Sequence, residues 1–246
     1  MILKTNGSLS WLEFELLAEV PGLVHGVFSR KGGKSQPPFD ALNTALTVGD
    51  CQAAVKENRT SIQQALNLSS LIAMSQVHGS LVKHTDEPQL VCDGLMTADK
   101  GKGLMVQHAD CQAVILYDPI HRALAVVHAG WRGLVQEIYK SCIEKMAAQF
   151  GSRPQDLLVG ISPSLGPSHA EFIHYRTEFP REFWPFGNAS NHFNLWEIAQ
   201  DQLERCGILS HHIQVAGICT YTHSADYFSY RRDQLTGRNA TVAALF

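Results

Sequence analysis

The sequence predicts a mixed α/β or α+β fold, with a mixed β-sheet flanked by helices, and not a regular doubly wound sheet. Short apolar runs of strand length and amphipathic helical stretches follow one another irregularly along the 246 residues. The two strongest β-like runs, Ala113 to Tyr117 and Ala123 to Val127, lie close together on either side of a short polar segment. No linker, internal repeat or low-complexity segment divides the chain, so residues 1–246 read as a single domain. Hydrophobic residues at 45%, charged residues at 17% and a net charge of -3 describe an ordinary soluble globular protein and argue against a nucleic-acid partner.

The elements follow in order. Residues 22–28 (GLVHGVF) read as a strand, and the basic, glycine-rich turn from Ser29 to Ser35 comes next. Such a turn can offer N–H groups and cations, among them Arg30, to an anion, but it lacks the P-loop spacing. Asp50 can cap a helix running to about Leu66, with Val55, Ile62 and Leu66 on one face. Arg59 lies in that apolar stripe, where its charge needs a carboxylate from elsewhere or a bound phosphate. Leu71 to Val77 reads as a strand leading into His78-Gly79. The stretch from Lys83 to Leu90 is polar, and Cys92-Asp93-Gly94-Leu95-Met96-Thr97 makes a turn into a short strand.

Gly130-Trp131-Arg132-Gly133 opens a helix through Phe150, so its free N–H groups together with Arg132 offer a second anion site. Leu157 to Ile161 is a strand, and residues 162–167 and 179–188 are loops. Asn194 with Glu197 forms a capping box for a helix that Gly207 ends. Ile213 to Ile218 and Val242 to Leu245 complete the strands.

The chemistry concentrates around residues 103–133 (GLMVQHADCQAVILYDPIHRALAVVHAGWRG), where Cys111 and His128 fall at strand ends, as His78 does after its own run. Two His and one Cys form a donor set suited to zinc, and a catalytic zinc site takes three protein ligands and keeps its fourth position open. Ala-Gly after His128 allows close backbone approach, and Asp110 can orient Cys111. Cys111 also fits a nucleophile paired with a His, because both roles need the thiolate. The six cysteines (51, 92, 111, 142, 206, 219) contain no C-x-x-C and read as reduced thiols. The N-terminal MILKTNGSLSWLEFELL does not read as a signal peptide and no run reaches membrane-span length, so the cytoplasm is the simplest location.

Together Gln76-Val77-His78-Gly79, Asp93 to Thr97, Ala109-Asp110-Cys111, the H-A-G-W-R-G run from His128 to Gly133, Phe228 to Arg232 and Thr236-Gly237-Arg238 resemble the YfiH-like family. Its members have been called laccase-domain proteins or polyphenol oxidoreductases, and also purine nucleoside phosphorylases. The resemblance implies a single α/β sandwich-like domain with one zinc held at His78, Cys111 and His128. It also implies phosphorolysis of adenosine, inosine, guanosine and methylthioadenosine, together with deamination of adenosine. Arg59 and the turn residues Arg30, Gly32, Gly33 and Ser35 match family positions. His169, where many relatives carry Cys, and the loop Ser162 to Gly166 depart from the pattern.

The oxidase label implies several copper sites, which usually draw on H-x-H pairs, and this chain has none. One Cys and two His can still take a single Cu2+ opportunistically. For the nucleoside reactions Arg59, Arg132 and Arg30 are the phosphate candidates, Cys111 sits at the reacting centre, and Asp93 and Asp110 are the proton-donor or orienting candidates. A Cys-His hydrolase acting on amides such as cell-wall precursors is the metal-free alternative.

Overall fold

The computed structural model describes all 246 residues. Its first half comprises β1 (Ile2–Asn6), β2 (Leu9–Glu13), α1 (Glu15–Ala18), β3 (Leu23–Phe28), α2 (Gln52–Ala65), β4 (Ser70–Ala73), β5 (Val82–His84), β6 (Gly94–Thr97), β7 (Lys102–His108) and β8 (Gln112–Asp118). Then come β9 (Ala123–Ala129), α3 (Trp131–Val135), α4 (Ile138–Phe150), β10 (Leu158–Ile161), α5 (Tyr175–Glu178), α6 (Leu195–Arg205), β11 (Ile213–Val215), α7 (Tyr230–Asp233) and β12 (Asn239–Leu245). Two mixed six-stranded sheets result, ordered β1-β2-β3-β12-β7-β4 and β11-β10-β8-β9-β6-β5.

Burial on both faces explains the unbroken apolar runs of β8 and β9. Ala113, Ile115, Tyr117, Leu124 and Val126 pack inward against Leu104, Val106, Ala243 and Leu245 of the other sheet. Val114, Leu116, Ala125 and Val127 pack outward against Ile138, Cys142 and Met146 of α4 and Ile198 and Leu203 of α6. On the far side, Ile62 and Leu66 bring α2 onto Met105, Val242 and Ala244 of the first sheet. The sandwich therefore has helices on both outer faces within one mixed α/β domain, as the sequence predicts.

Several boundaries differ from expectation for identifiable reasons. The first hairpin, β1–β2, was not foreseen, although Asn6-Gly7 between alternating residues is a hairpin signal and Gly7 takes the required positive φ of 58°. β7 likewise emerges as a strand of its own from the central stretch. The expected strand 71–77 stops at Ala73, because the Gln76 side chain takes over the pairing, donating to the Gln107 carbonyl at 2.7 Å and accepting its N–H at 2.9 Å. Asp50 does not cap α2; Cys51 is the N-cap, and the Asp50 carboxylate accepts from the Asn43 amide and the Cys51 N–H.

The helix opened by Gly130 to Gly133 starts at Trp131 but does not run unbroken to Phe150: it breaks at Glu137, which is left-handed at φ 54°. Asn194 caps α6 as expected, accepting the N–H groups of Trp196 and Glu197, but Glu197 does not close the box, because the Asn194 N–H goes to the Phe186 carbonyl at 2.9 Å. β11 ends at Val215, shorter than the run to Ile218, and β12 starts earlier, at Asn239, and fills the centre of its sheet.

Candidate metal centre

Two chain crossovers between the sheets meet at one end of the sandwich. The chain leaves β4 of the first sheet and reaches β5 of the second through the loop carrying His78; it leaves β7 and enters β8 through Ala109-Asp110-Cys111. β9 ends beside them with His128. The ligand atoms of His78, Cys111 and His128 all lie within 4.8 Å of one another, and they form the one group of three or more such donors in the chain. The two imidazoles meet edge to face, with centroids 4.8 Å apart. Gly130 makes this approach possible: a Cβ there would stand 3.0 Å from Cys111 Sγ and 3.2 Å from His78 Cδ2.

Asp93 organises two of the three donors. Its fully buried carboxylate accepts Nδ1–H of His128 at 2.9 Å and the backbone N–H groups of Val77, His78 and Gly79 at 3.2, 3.0 and 2.7 Å. With Nδ1 engaged, Nε2 of His128 is left for a metal, the arrangement in which a carboxylate sets the tautomer of a ligating histidine. The same contacts hold His78, whose φ of 60° places it in the left-handed region. Burial pushes the Asp93 carboxyl up, but the hydrogen bonds from His128 and Gly79 outweigh it and hold it below the ordinary carboxylate range. Burial also raises the Cys111 thiol, yet the His128 charge and the hydrogen bonds from both histidines prevail and lower it. His128 moves up in return, since the Cys111 and Asp93 charges overcome its burial. A thiolate and two oriented imidazoles fit a metal ion of zinc type.

Asp110, at φ 87°, turns its carboxylate away toward Thr220 Oγ1 at 2.7 Å and the Arg231 N–H at 2.6 Å. Both carboxylates thus act as hydrogen-bond acceptors here, Asp93 toward His128 and the His78 loop, Asp110 toward Thr220 and Arg231 and not toward Cys111.

The donor group opens on both sides. A cleft of about 710 Å³ runs past it and is lined by Arg59, Arg238, Gln76, Gln107 and Tyr230. A smaller one of about 270 Å³, on the side of α3, is lined by Trp131, Leu165, Phe172, Leu195, Tyr230 and Arg132.

The three arginines named from sequence part company. Arg59 lines the larger cleft; its Nε donates to the Thr44 carbonyl at 2.8 Å and no carboxylate lies within ion-pair distance. Arg132 faces the smaller cleft, stacked 4.2 Å from the Trp131 ring centroid. Arg30 lines neither cleft. Its guanidinium pairs with Asp40 at 3.5 Å and covers Phe228 at 4.4 Å, while Gly32 and Gly33 press on the Ser8 and Ala41 backbones, so this turn is packing.

Arg238 stands out in the sequence only as the end of Thr236-Gly237-Arg238, and no signal in its local sequence separates it from Arg30. Asn58 was missed as well, though an Asn inside an apolar helix face is a signal. It is fully buried and bonds Lys34 N, Ser35 Oγ and the carbonyls of Ala41 and Asn43, shaping the loop that bears Thr44.

Residues 24–246 match the family described as multi-copper polyphenol oxidoreductase laccase. A purine nucleoside phosphorylase of Streptomyces coelicolor is 33% identical over 233 residues, covering 90% of this chain and 95% of its own. Purine nucleoside phosphorylase YfiH of Escherichia coli is 32% identical over 225 residues, covering 87% and 90%. Among solved structures, the YfiH protein of Bacillus licheniformis superposes with a TM-score of 0.89 at 26% identity over 99% of both chains. YlmD of Geobacillus stearothermophilus gives 0.88 at 27% identity, covering 99% and 98%. With a matched model spanning nearly the whole chain and relatives alike along its full length, this protein belongs to the YfiH-type laccase-domain family, whose curated relatives are named purine nucleoside phosphorylases.

Proposed function

We propose that this protein is a zinc-dependent, cytoplasmic purine nucleoside phosphorylase acting on adenosine, inosine, guanosine and methylthioadenosine, with adenosine deaminase activity. The observation that carries the reading is the pair Arg59 and Arg238 in the cleft that also holds His78, Cys111 and His128. Neither guanidinium has a carboxylate partner. Burial lowers the pKa of both, and for Arg238 the nearby Cys111 charge opposes that fall. Two partly desolvated cations without anions are costly unless a ligand supplies the charge, and phosphate does so with matching geometry.

In phosphorolysis a phosphate oxygen held by these arginines bonds to C1′ of the ribose. The C1′–N9 bond breaks, and the purine leaves with the bonding pair and takes up a proton from water. Zinc at the His–Cys–His group would supply a Lewis acid beside the reacting centre. Cys111 and His128 provide donors to hold it, and Asp93 keeps His128 in the tautomer that can. In deamination, water adds to the purine carbon bearing the amino group and ammonia departs, with no need for the arginines.

Product chromatography tests the reading. Inosine is expected to give hypoxanthine and ribose 1-phosphate only with phosphate, in saturable fashion, and adenosine to give inosine without it. Free ribose formed equally fast without phosphate would make the enzyme a hydrolase.

A second reading has one observation of its own. Asp93, His128 and Cys111 line up as carboxylate, imidazole and thiolate, the order of a cysteine hydrolase. Amide cleavage that persists after chelation would favour it; activity lost with a chelator and restored by zinc excludes it. The multi-copper oxidase label of the family asks for several copper sites, and the chain offers one donor group.

A further inference from the structure

Tyr230 stands where the two clefts meet, lining both together with His78, Ala109 and Cys111. It is 56% exposed, and its hydroxyl makes no hydrogen bond within the protein. Its backbone is held with unusual care for a helix of four residues. Ser229 caps α7 through the Arg232 N–H at 3.3 Å, and Asp110, next to Cys111, accepts the Arg231 N–H. The Arg231 guanidinium reaches the carbonyls of His169 and Glu171, and that of Arg232 reaches the carbonyls of Thr220, Tyr221 and Tyr227. The tethers fix the backbone and leave an aromatic ring whose hydroxyl makes no hydrogen bond beside the donor group.

The two sides of that ring differ in chemistry. The smaller cleft is walled mainly by Trp131, Leu165, Phe172 and Leu195, with Arg132 and Arg231 also on its lining. The larger carries Arg59, Arg238, Gln76 and Gln107, and the Arg238 guanidinium lies 5.8 Å from the Tyr230 ring centroid.

We propose that Tyr230 is the platform on which the purine of the substrate stacks, in the smaller aromatic cleft, while the ribose crosses the donor group toward phosphate in the larger one. This inference rests on the nucleoside reading above and adds to it the residue that grips the base. A planar heterocycle suits an aromatic wall, because stacking rewards any base without demanding a particular hydrogen-bond pattern. That matches a site open to several purines.

The test uses the zinc-loaded protein with inosine and phosphate varied independently. Tyr230→Ala is expected to raise the nucleoside KM by about tenfold or more, within the range base–aromatic stacking supplies, and to leave the phosphate KM within about twofold. Tyr230→Phe, which keeps the ring, is expected to restore the nucleoside KM. Calorimetric binding of inosine alone is expected to weaken in step in Tyr230→Ala. An active wild type whose nucleoside KM is unmoved in Tyr230→Ala, or whose two KM values rise together, overturns the platform and leaves the phosphorylase reading standing. A wild type that binds inosine but never cleaves it overturns the phosphorylase reading, and the calorimetric comparison then decides on Tyr230. A wild type that does not bind inosine overturns both.

Discussion

Oδ1 of Asp93 lies 2.9 Å from Nδ1 of His128, and the same carboxylate holds the backbone of His78. One buried side chain therefore sets two of the three donors, and removing its charge should loosen both at once. Asp93→Asn is expected to weaken zinc binding by about 10- to 100-fold, the usual cost of losing a partner that orients a ligand. Competition with a colorimetric chelator measures it, with circular dichroism confirming the fold. Unchanged affinity would show that the carboxylate serves only the loop.

The donors themselves are expected to be individually indispensable. Alanine at His78, Cys111 or His128 should drop the zinc content of purified protein to near zero by elemental analysis and abolish turnover. Thermal stability should change little for His78, which is exposed, and more for His128, which is 3% exposed. Full zinc occupancy in any of the three would remove that residue from the set.

Gly130 offers a sharper probe of the same geometry. In Gly130→Ala the new methyl must displace Cys111 Sγ or the His78 ring, so metal affinity should fall while the backbone conformation, φ -78°, stays open to alanine. If zinc binds as tightly as before, the close approach does not constrain the centre.

Arg59→Met and Arg238→Met are each expected to raise the phosphate KM by roughly tenfold or more, the loss of a charge-assisted hydrogen bond. Adenosine deamination, which uses water, should change far less. Steady-state kinetics with both reactions in one preparation separates the outcomes, and parallel loss of both activities would make these arginines structural.

Acid stability follows from His25. Its Nε2 accepts the Phe14 N–H at 2.8 Å in the core, and burial lowers its pKa from 6.5 to about 4. The unfolded chain takes up the proton first as pH falls, so this contribution is intact above about pH 6.5 and declines toward pH 4. At ~1.4 kcal/mol per pKa unit the loss is about 3 kcal/mol. Buried His108, lowered to about 3 by burial and then by the His128 charge, acts in the same direction. Melting curves from pH 7.5 to 4.5 should show the decline, and His25→Gln should flatten part of it. An equal slope in the variant would assign the acid sensitivity elsewhere.

The sequence by itself determined the features written in short-range pattern. Cys111 and His128 are legible because continuous apolar runs mark β8 and β9 and chemistry collects at strand ends. The α6 cap is legible because Asn194 bonds N–H groups within three residues of itself. The tertiary structure alone decided what depends on distant partners. Arg30, Arg59, Arg132 and Arg238 are alike as residues; only the fold gives Arg30 to Asp40, sets Arg132 on Trp131, and leaves Arg59 and Arg238 without carboxylates. Asp93 reads as a turn residue until the β4–β5 crossover brings three N–H groups onto it and β9 brings the His128 imidazole. Local pattern reports burial and backbone geometry, whereas the charge state and orientation of a side chain depend on neighbours that only the packing of the two sheets supplies.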